Sequence, residues 1–193
     1  MDEKEIAVIS PDELRDIIKS SVKKMGPQLS KNEKIEHAKL LVKIFEKRMS
    51  PKEAMEVSDQ EIAQIYSFAN QLFATNKFAE AKEMFKMLVL LEPDRAEFST
   101  ALGACFHHLH EYTDAITFYM TSSYLNNTDP VPLFYAYDCF RNLHNDSAAA
   151  VMLACVLARA GDQPQYAKIK EQAQPLLEEL KKKFNEQQIE GKK

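Results

Sequence analysis

The chain has 193 residues, enough for one domain or for one domain with an appended arm. Its formal net charge of −4, with no basic block before the C-terminal end, argues against nucleic acid or an anionic membrane as the main partner. Only four glycines, eight methionines and many Ala, Leu, Glu and Lys residues favour helix, and no apolar run approaches the roughly 20 residues that span a bilayer. The start, MDEKEIAVIS, is acidic, lacks a signal-peptide core and reads as unstructured over residues 1–9. Ser10-Pro11-Asp12-Glu13 then gives an N-cap, a proline at the first helical position and an acid at the third. Leu14, Ile17, Ile18, Val22 and Met25 form the apolar stripe of that helix, which Gly26-Pro27 ends. Ser30 with Glu33 repeats the capping logic, and Ile35, Ala38, Val42, Phe45 and Met49 make the next stripe. Ser50-Pro51-Lys52-Glu53 opens a short turn or helix, and Ser58-Asp59-Gln60-Glu61 caps the helix that carries Ile65. Both stripes need a cover: the rest of the chain, a second copy of it, or a partner.

Residues 65–93 (IYSFANQLFATNKFAEAKEMFKMLVLLEP) read as two amphipathic helices around a turn at Thr75-Asn76-Lys77. Phe78, Ala81 and Phe85 share one face of the second helix, and Pro93 stops it. Phe78, Ala81 and Phe85 recur as Tyr112, Ala115 and Tyr119, each 34 positions later. Phe68-Ala69 recurs as Leu102-Gly103 and then Ala136-Tyr137, and Leu72 as Phe106 and Phe140. The third copy keeps Ala149 and Leu153 but has Asp146 for the aromatic and Tyr137 for the small residue. A fixed period of 34 is the tetratricopeptide signature, whereas a general helical bundle needs none. The expected fold is all-α: a tetratricopeptide-repeat superhelix of three helix pairs, with an N-terminal helical arm and a C-terminal capping helix. The arm spans 1–61, the repeats 62–163 (62–95, 96–129 and 130–163), and the capping helix with a charged tail 164–193. In the last helix Tyr166, Ile169, Ala173, Leu176, Leu177, Leu180 and Phe184 form the stripe; Pro175 kinks or restarts it, and KKKFNEQQIEGKK reads as a fraying tail.

Stacked helix pairs curve, and the first helix of each pair lines the concave side. In the first repeat this points Ala63, Tyr66, Asn70, Phe73 and Ala74 into a groove. In the second it points Glu97, Thr100, Ala104, His107 and His108, and in the third Val131, Phe134, Asp138 and Arg141. Small residues let a peptide backbone approach and aromatic ones offer pockets. The competing role for Tyr66, Phe73 and Phe134 is inter-repeat core. His107 and His110, three apart on a helix, invite a metal, but no Cys or acid at ligand spacing completes a site. No phosphate loop, nucleophile elbow or H-E-x-x-H pattern occurs, so neither enzyme chemistry nor a cofactor is expected. Cys105, Cys139 and Cys155 sit in apolar helical patterns and read as buried thiols of a reducing compartment.

The segments YSFANQLFATNKFAEAKEMF from Tyr66 to Phe85, Leu102-Gly103-Ala104-Cys105, and Asp129-Pro130 through Phe134-Tyr135-Ala136-Tyr137-Asp138-Cys139 resemble the class II chaperones of bacterial type III secretion. These are small acidic helical proteins that hold hydrophobic translocators, and the resemblance covers about residues 50–163. It implies a bacterial cytoplasmic setting and a translocator segment bound extended in the concave groove, with the secretion gatekeeper as a further client. The client-binding positions it implies, taken with the lining above, are Tyr66, Asn70, Phe73, Thr100, Ala104, His107, Phe134, Asp138 and Arg141. Asn70 departs from the family's aromatic, and Asn76 and His144 replace its turn glycines. A homodimer through the N-terminal arm is also implied. The alternative is a general tetratricopeptide adaptor that reads a C-terminal carboxylate, for which the groove positions supply Arg141 alone.

Overall fold

The computed structural model describes Asp16, Ser20 and residues 30–190, with side chains given as far as Glu186. The helix expected around Leu14, Ile17, Ile18, Val22 and Met25 lies outside the described residues. The chain forms two units, 1–62 and 63–193.

In the first unit, α1 (Lys31–Phe45) and α2 (Pro51–Ala54) each begin at a complete capping box. The Ser30 and Ser50 hydroxyls accept from the amides of Glu33 and Glu53, whose carboxylates accept in turn from the serine amides. Ser58 and Glu61 repeat the exchange at the start of α3 (Asp59–Ala74). Lys43 ties α1 to the end of α2, donating to the Ala54 carbonyl at 3.1 Å and to Glu56 at 2.8 Å. No residue of α1 is buried within the chain, and Ile35 and Phe45 of its stripe are 43% and 55% exposed. Its neighbour in the unit, α2, is four residues long and too small to cover an apolar face.

The second unit carries the remainder of α3, then α4 (Phe78–Leu91), α5 (Ala96–His108), α6 (Tyr112–Leu125), α7 (Val131–Asn142), α8 (Asp146–Ala160), a 3-10 turn at Pro164–Tyr166 and α9 (Ala167–Glu190). From α4 to α9 each helix packs on its successor. All described regular structure is helical, and the order is three helix pairs closed by a long last helix, the fold expected from the period. The second helices begin at Phe78, Tyr112 and Asp146, one period apart. The turns before them are identical in construction. Asn76, His110 and His144 adopt φ of 61°, 61° and 55°. The next amide in each turn (Lys77, Glu111, Asn145) donates back to Leu72, Phe106 or Phe140 at 2.9 Å. His110 is therefore the left-handed turn residue of the second repeat and lies outside α5, so it does not share a helical face with His107.

Ala81, Ala115 and Ala149 are fully buried, as the tightest helix crossings require. One turn on, the sizes are matched across each pair. Phe85 and Tyr119 are buried large residues in pairs that carry Ala69 and Gly103, whereas in the third pair the large residue is Tyr137 and its counterpart is Leu153. The third repeat has exchanged large for small across the crossing, keeping the volume. Asp146, where an aromatic stood in the other repeats, opens α8 and pairs with Lys183 of α9 and with Arg141 at 3.2 Å. The hydrogen bond from Lys183, followed by the nearby Lys183 and Arg141 charges, holds its carboxyl below the usual range. Ala173, Leu177 and Leu180 of α9 close the array against Leu133, Tyr137, Leu153 and Val156. The helix does not restart at Pro175 but runs continuously to Glu190, so much of the ending read as fraying is helical. Pro175 and Glu171 are both exposed, leaving the carbonyl that the proline cannot satisfy open to water. No helix among the described residues is long and apolar enough to cross a membrane.

Candidate client-binding groove

The concave side of the second unit encloses a groove of about 1220 Å³, larger than the 300–1,000 Å³ of typical small-molecule pockets and open along its length. Tyr66, Asn70 and Phe73 reach it from α3, Thr100, Ala104 and His107 from α5, and Phe134 and Asp138 from α7. Arg141 is the exception among the expected positions. It is not a wall residue, because its guanidinium turns to Asp146 at the start of α8. Ala63, Ala74 and Val131, also expected on the inner face, do not line the groove either.

At the first-repeat end the Tyr66 ring lies 5.3 Å from Phe98 and 6.2 Å from Phe85. Phe73 meets Phe78 edge-on at 5.1 Å and His108 at 5.3 Å. Both rings are half-buried, so they serve the inter-repeat core on one side and the groove wall on the other. His108 stacks flat on Phe78 at 4.2 Å. Partial desolvation against these rings, and then the neighbouring His107 and His110, lower its pKa, and its imidazole adds a further ring to this wall. Asn70 is exposed beside them, its amide donating to the Tyr66 carbonyl at 3.0 Å.

The middle is small and polar. Ala104 leaves the floor open, and the Thr100 hydroxyl lies 2.6 Å from that of Ser122. His107 links three helices: one ring nitrogen is 3.3 Å from the Tyr119 hydroxyl of α6 and the other 2.9 Å from the Asp138 carboxylate of α7. Burial pushes the Tyr119 hydroxyl pKa far up, so it remains a neutral donor or acceptor. At the far end Phe134 packs 5.7 Å from Tyr137, and Leu176 of α9 joins them. Sequence reasoning missed Tyr137 and Leu176 as wall residues. The one available signal was the double Leu176-Leu177 in the α9 stripe, wider than the core beneath it requires. No lysine or arginine lines the groove among the described residues. The thiols of Cys105 and Cys139 are buried and pushed up to about 12, the reverse of an activated nucleophile.

No protein-family model matches the chain. Low calcium response locus protein H of Yersinia pseudotuberculosis serotype I (strain IP32953) is 25% identical over 128 residues, spanning 66% of this chain and 76% of that protein. A type III secretion complex from Aeromonas hydrophila matches with a TM-score of 0.69 at 24% identity, over 74% of this chain and 95% of its own. The Yersinia enterocolitica type III secretion chaperone SycD, in complex with a peptide of the translocator YopD, matches with a TM-score of 0.64 at 24% identity, over 66% of this chain and 98% of its own. In fold, this chain resembles the class II translocator chaperones of type III secretion.

Proposed function

We propose that this protein is a bacterial cytoplasmic type III secretion chaperone that holds a hydrophobic translocator, through an extended segment, in its concave groove before export. The observation that carries the reading is the groove itself. The first helices of all three pairs open onto one continuous channel, with rings at its first-repeat end and an open floor at Ala104. The similar SycD is known bound to a translocator peptide, which supports giving this groove the same class of occupant. Burying client side chains against Tyr66 and Phe73 removes surface that would otherwise aggregate or enter a membrane. Holding of this kind is stoichiometric, and release belongs to another component of the export machinery. Dimerisation through the N-terminal arm is part of the same reading, and the exposed Ile35 and Phe45 are the described surface available for it. The adaptor alternative is weakened by the groove, since a carboxylate clamp needs a cation and Arg141 is engaged with Asp146.

The test is a calorimetric titration of the full chain with the N-terminal region of the hydrophobic translocator from the same secretion system. Loss of one groove ring removes about 1.5–3 kcal/mol of burial, so Tyr66→Ala or Phe73→Ala should weaken binding by roughly tenfold or more. Unchanged affinity in variants with wild-type circular dichroism would refute the groove assignment.

A further inference from the structure

The two ends of the groove and its middle ask different things of an occupant. Tyr66 and Phe73 form an apolar station at the first repeat, and Phe134, Tyr137 and Leu176 form a second where α9 meets the third. The carboxylates of the wall, Glu97, Asp129 and Asp138, lie between or beside these stations, and no lysine or arginine lines the groove among the described residues. Glu97 is matched by Arg95, whose Nε donates to it at 2.6 Å, and an Asp129 oxygen accepts from the Val131 amide. Asp138 is different. Its side chain is 53% exposed, and its carboxylate meets a histidine at 2.9 Å and, weakly, the Asn142 amide at 3.5 Å. With Tyr119 donating to His107 Nδ1, the Nε2–H of the ring is left to donate to Asp138. The carboxylate is then aimed across from α7 toward α5 and stays open to the channel.

We propose that the occupant is an extended segment with an apolar side chain at each end and a lysine or arginine between them, its cation facing Asp138. This rests on the holding function above and names the chemistry that the same groove selects. In an extended chain side chains alternate, so an intervening residue is free to turn toward the Asp138 wall while its neighbours face away. Charge complementarity sets the preference and the two apolar stations supply the affinity.

Synthetic fluorescent peptides test this by anisotropy on the full chain. They carry two leucines at varied separations with a central Lys, the same with a central Glu, and versions with one leucine replaced by serine. The expected result is that at the best separation the Lys peptide binds about tenfold tighter than its Glu counterpart, about 1.4 kcal/mol. Asp138→Asn, an exposed isosteric change, should reduce that difference to about twofold. Leu176→Ser should weaken the two-leucine peptides more than the one-leucine peptides, whose single leucine can seat at Tyr66 and Phe73 instead. Equal affinity for Lys and Glu peptides, or a preference that persists in Asp138→Asn, overturns the inference. If no designed peptide binds while the translocator segment does, this inference fails and the holding function stands. If the translocator segment also fails to bind, both fall.

Discussion

Gly103→Ala sets two effects of opposite sign against each other at the centre of the array. Gly103 lies inside α5, where alanine is intrinsically favoured over glycine by about 0.8–1.0 kcal/mol. A methyl group there, however, would meet Tyr119 Cδ1 and Cε1 at 2.9 Å and the Ala115 carbonyl oxygen at 3.3 Å. The Tyr119 ring cannot retreat easily. It is 1% exposed, stacked on Tyr135 at 5.4 Å and hydrogen-bonded to His107, and the carbonyl belongs to the tightest crossing of the second pair. Overpacking of this kind costs about 1–3 kcal/mol, so the clash outweighs the propensity gain by about 1 kcal/mol. For a unit of this size that lowers the melting temperature by about 3 °C. Thermal and urea denaturation followed by circular dichroism read it directly. A double-mutant cycle isolates the cause. Tyr119→Leu recreates the partner found in the third repeat, and Gly103→Ala should be neutral or stabilising in that background, giving a coupling of about 1–2 kcal/mol. If Gly103→Ala alone raises the melting temperature as an ordinary glycine-to-alanine change in a helix does, the size-matching argument for all three pairs is wrong.

Ala115→Glu should unfold the second unit, because it drives a carboxylate into a fully buried helix crossing at a penalty of several kcal/mol; a wild-type melt would contradict the register of the repeats. The thiols give an independent check of burial. With Cys105 and Cys139 pushed up to about 12, both are neutral and inaccessible at pH 8, so alkylation of the native protein should mark the half-buried Cys155 first. All three should react in urea, and peptide mass mapping reads the order; early labelling of Cys105 would show that the α5 crossing opens readily.

Much of this architecture is legible along the chain because it is locally determined. Capping boxes span four residues, and the reciprocal bonds at Ser30, Ser50 and Ser58 could be read from a serine and an acid three positions on. The period of 34 fixes where the second helix of each pair begins, and the structure starts α4, α6 and α8 on that period. The inner-face positions follow from helical spacing once the first helix of each pair is assigned to the concave side. What fails is local pattern taken beyond its range. His110 looked helical because it continues a run of histidines, yet the repeat needs a left-handed residue at that point and His110 supplies it, as Asn76 and His144 do. Pro175 looked like a break, but tertiary burial of Ala173, Leu177 and Leu180 outweighs one missing hydrogen bond on a solvated face.

The sequence by itself determined the period of the repeat and the row of alanines at the crossings, because each of these follows from contacts within one period. Only the tertiary structure decided which inner-face side chains form the groove wall. Arg141 sits at the same repeat position as Phe73 and His107, but Asp146 draws it out of the channel. Leu176 comes from outside the repeats altogether and enters the wall because α9 crosses the end of the array. The carboxylate of Asp138 is oriented by a histidine and a tyrosine from two other helices. Such arrangements depend on the packing of helices far apart in sequence and on competition between charged partners, and no spacing rule within a single helix encodes either.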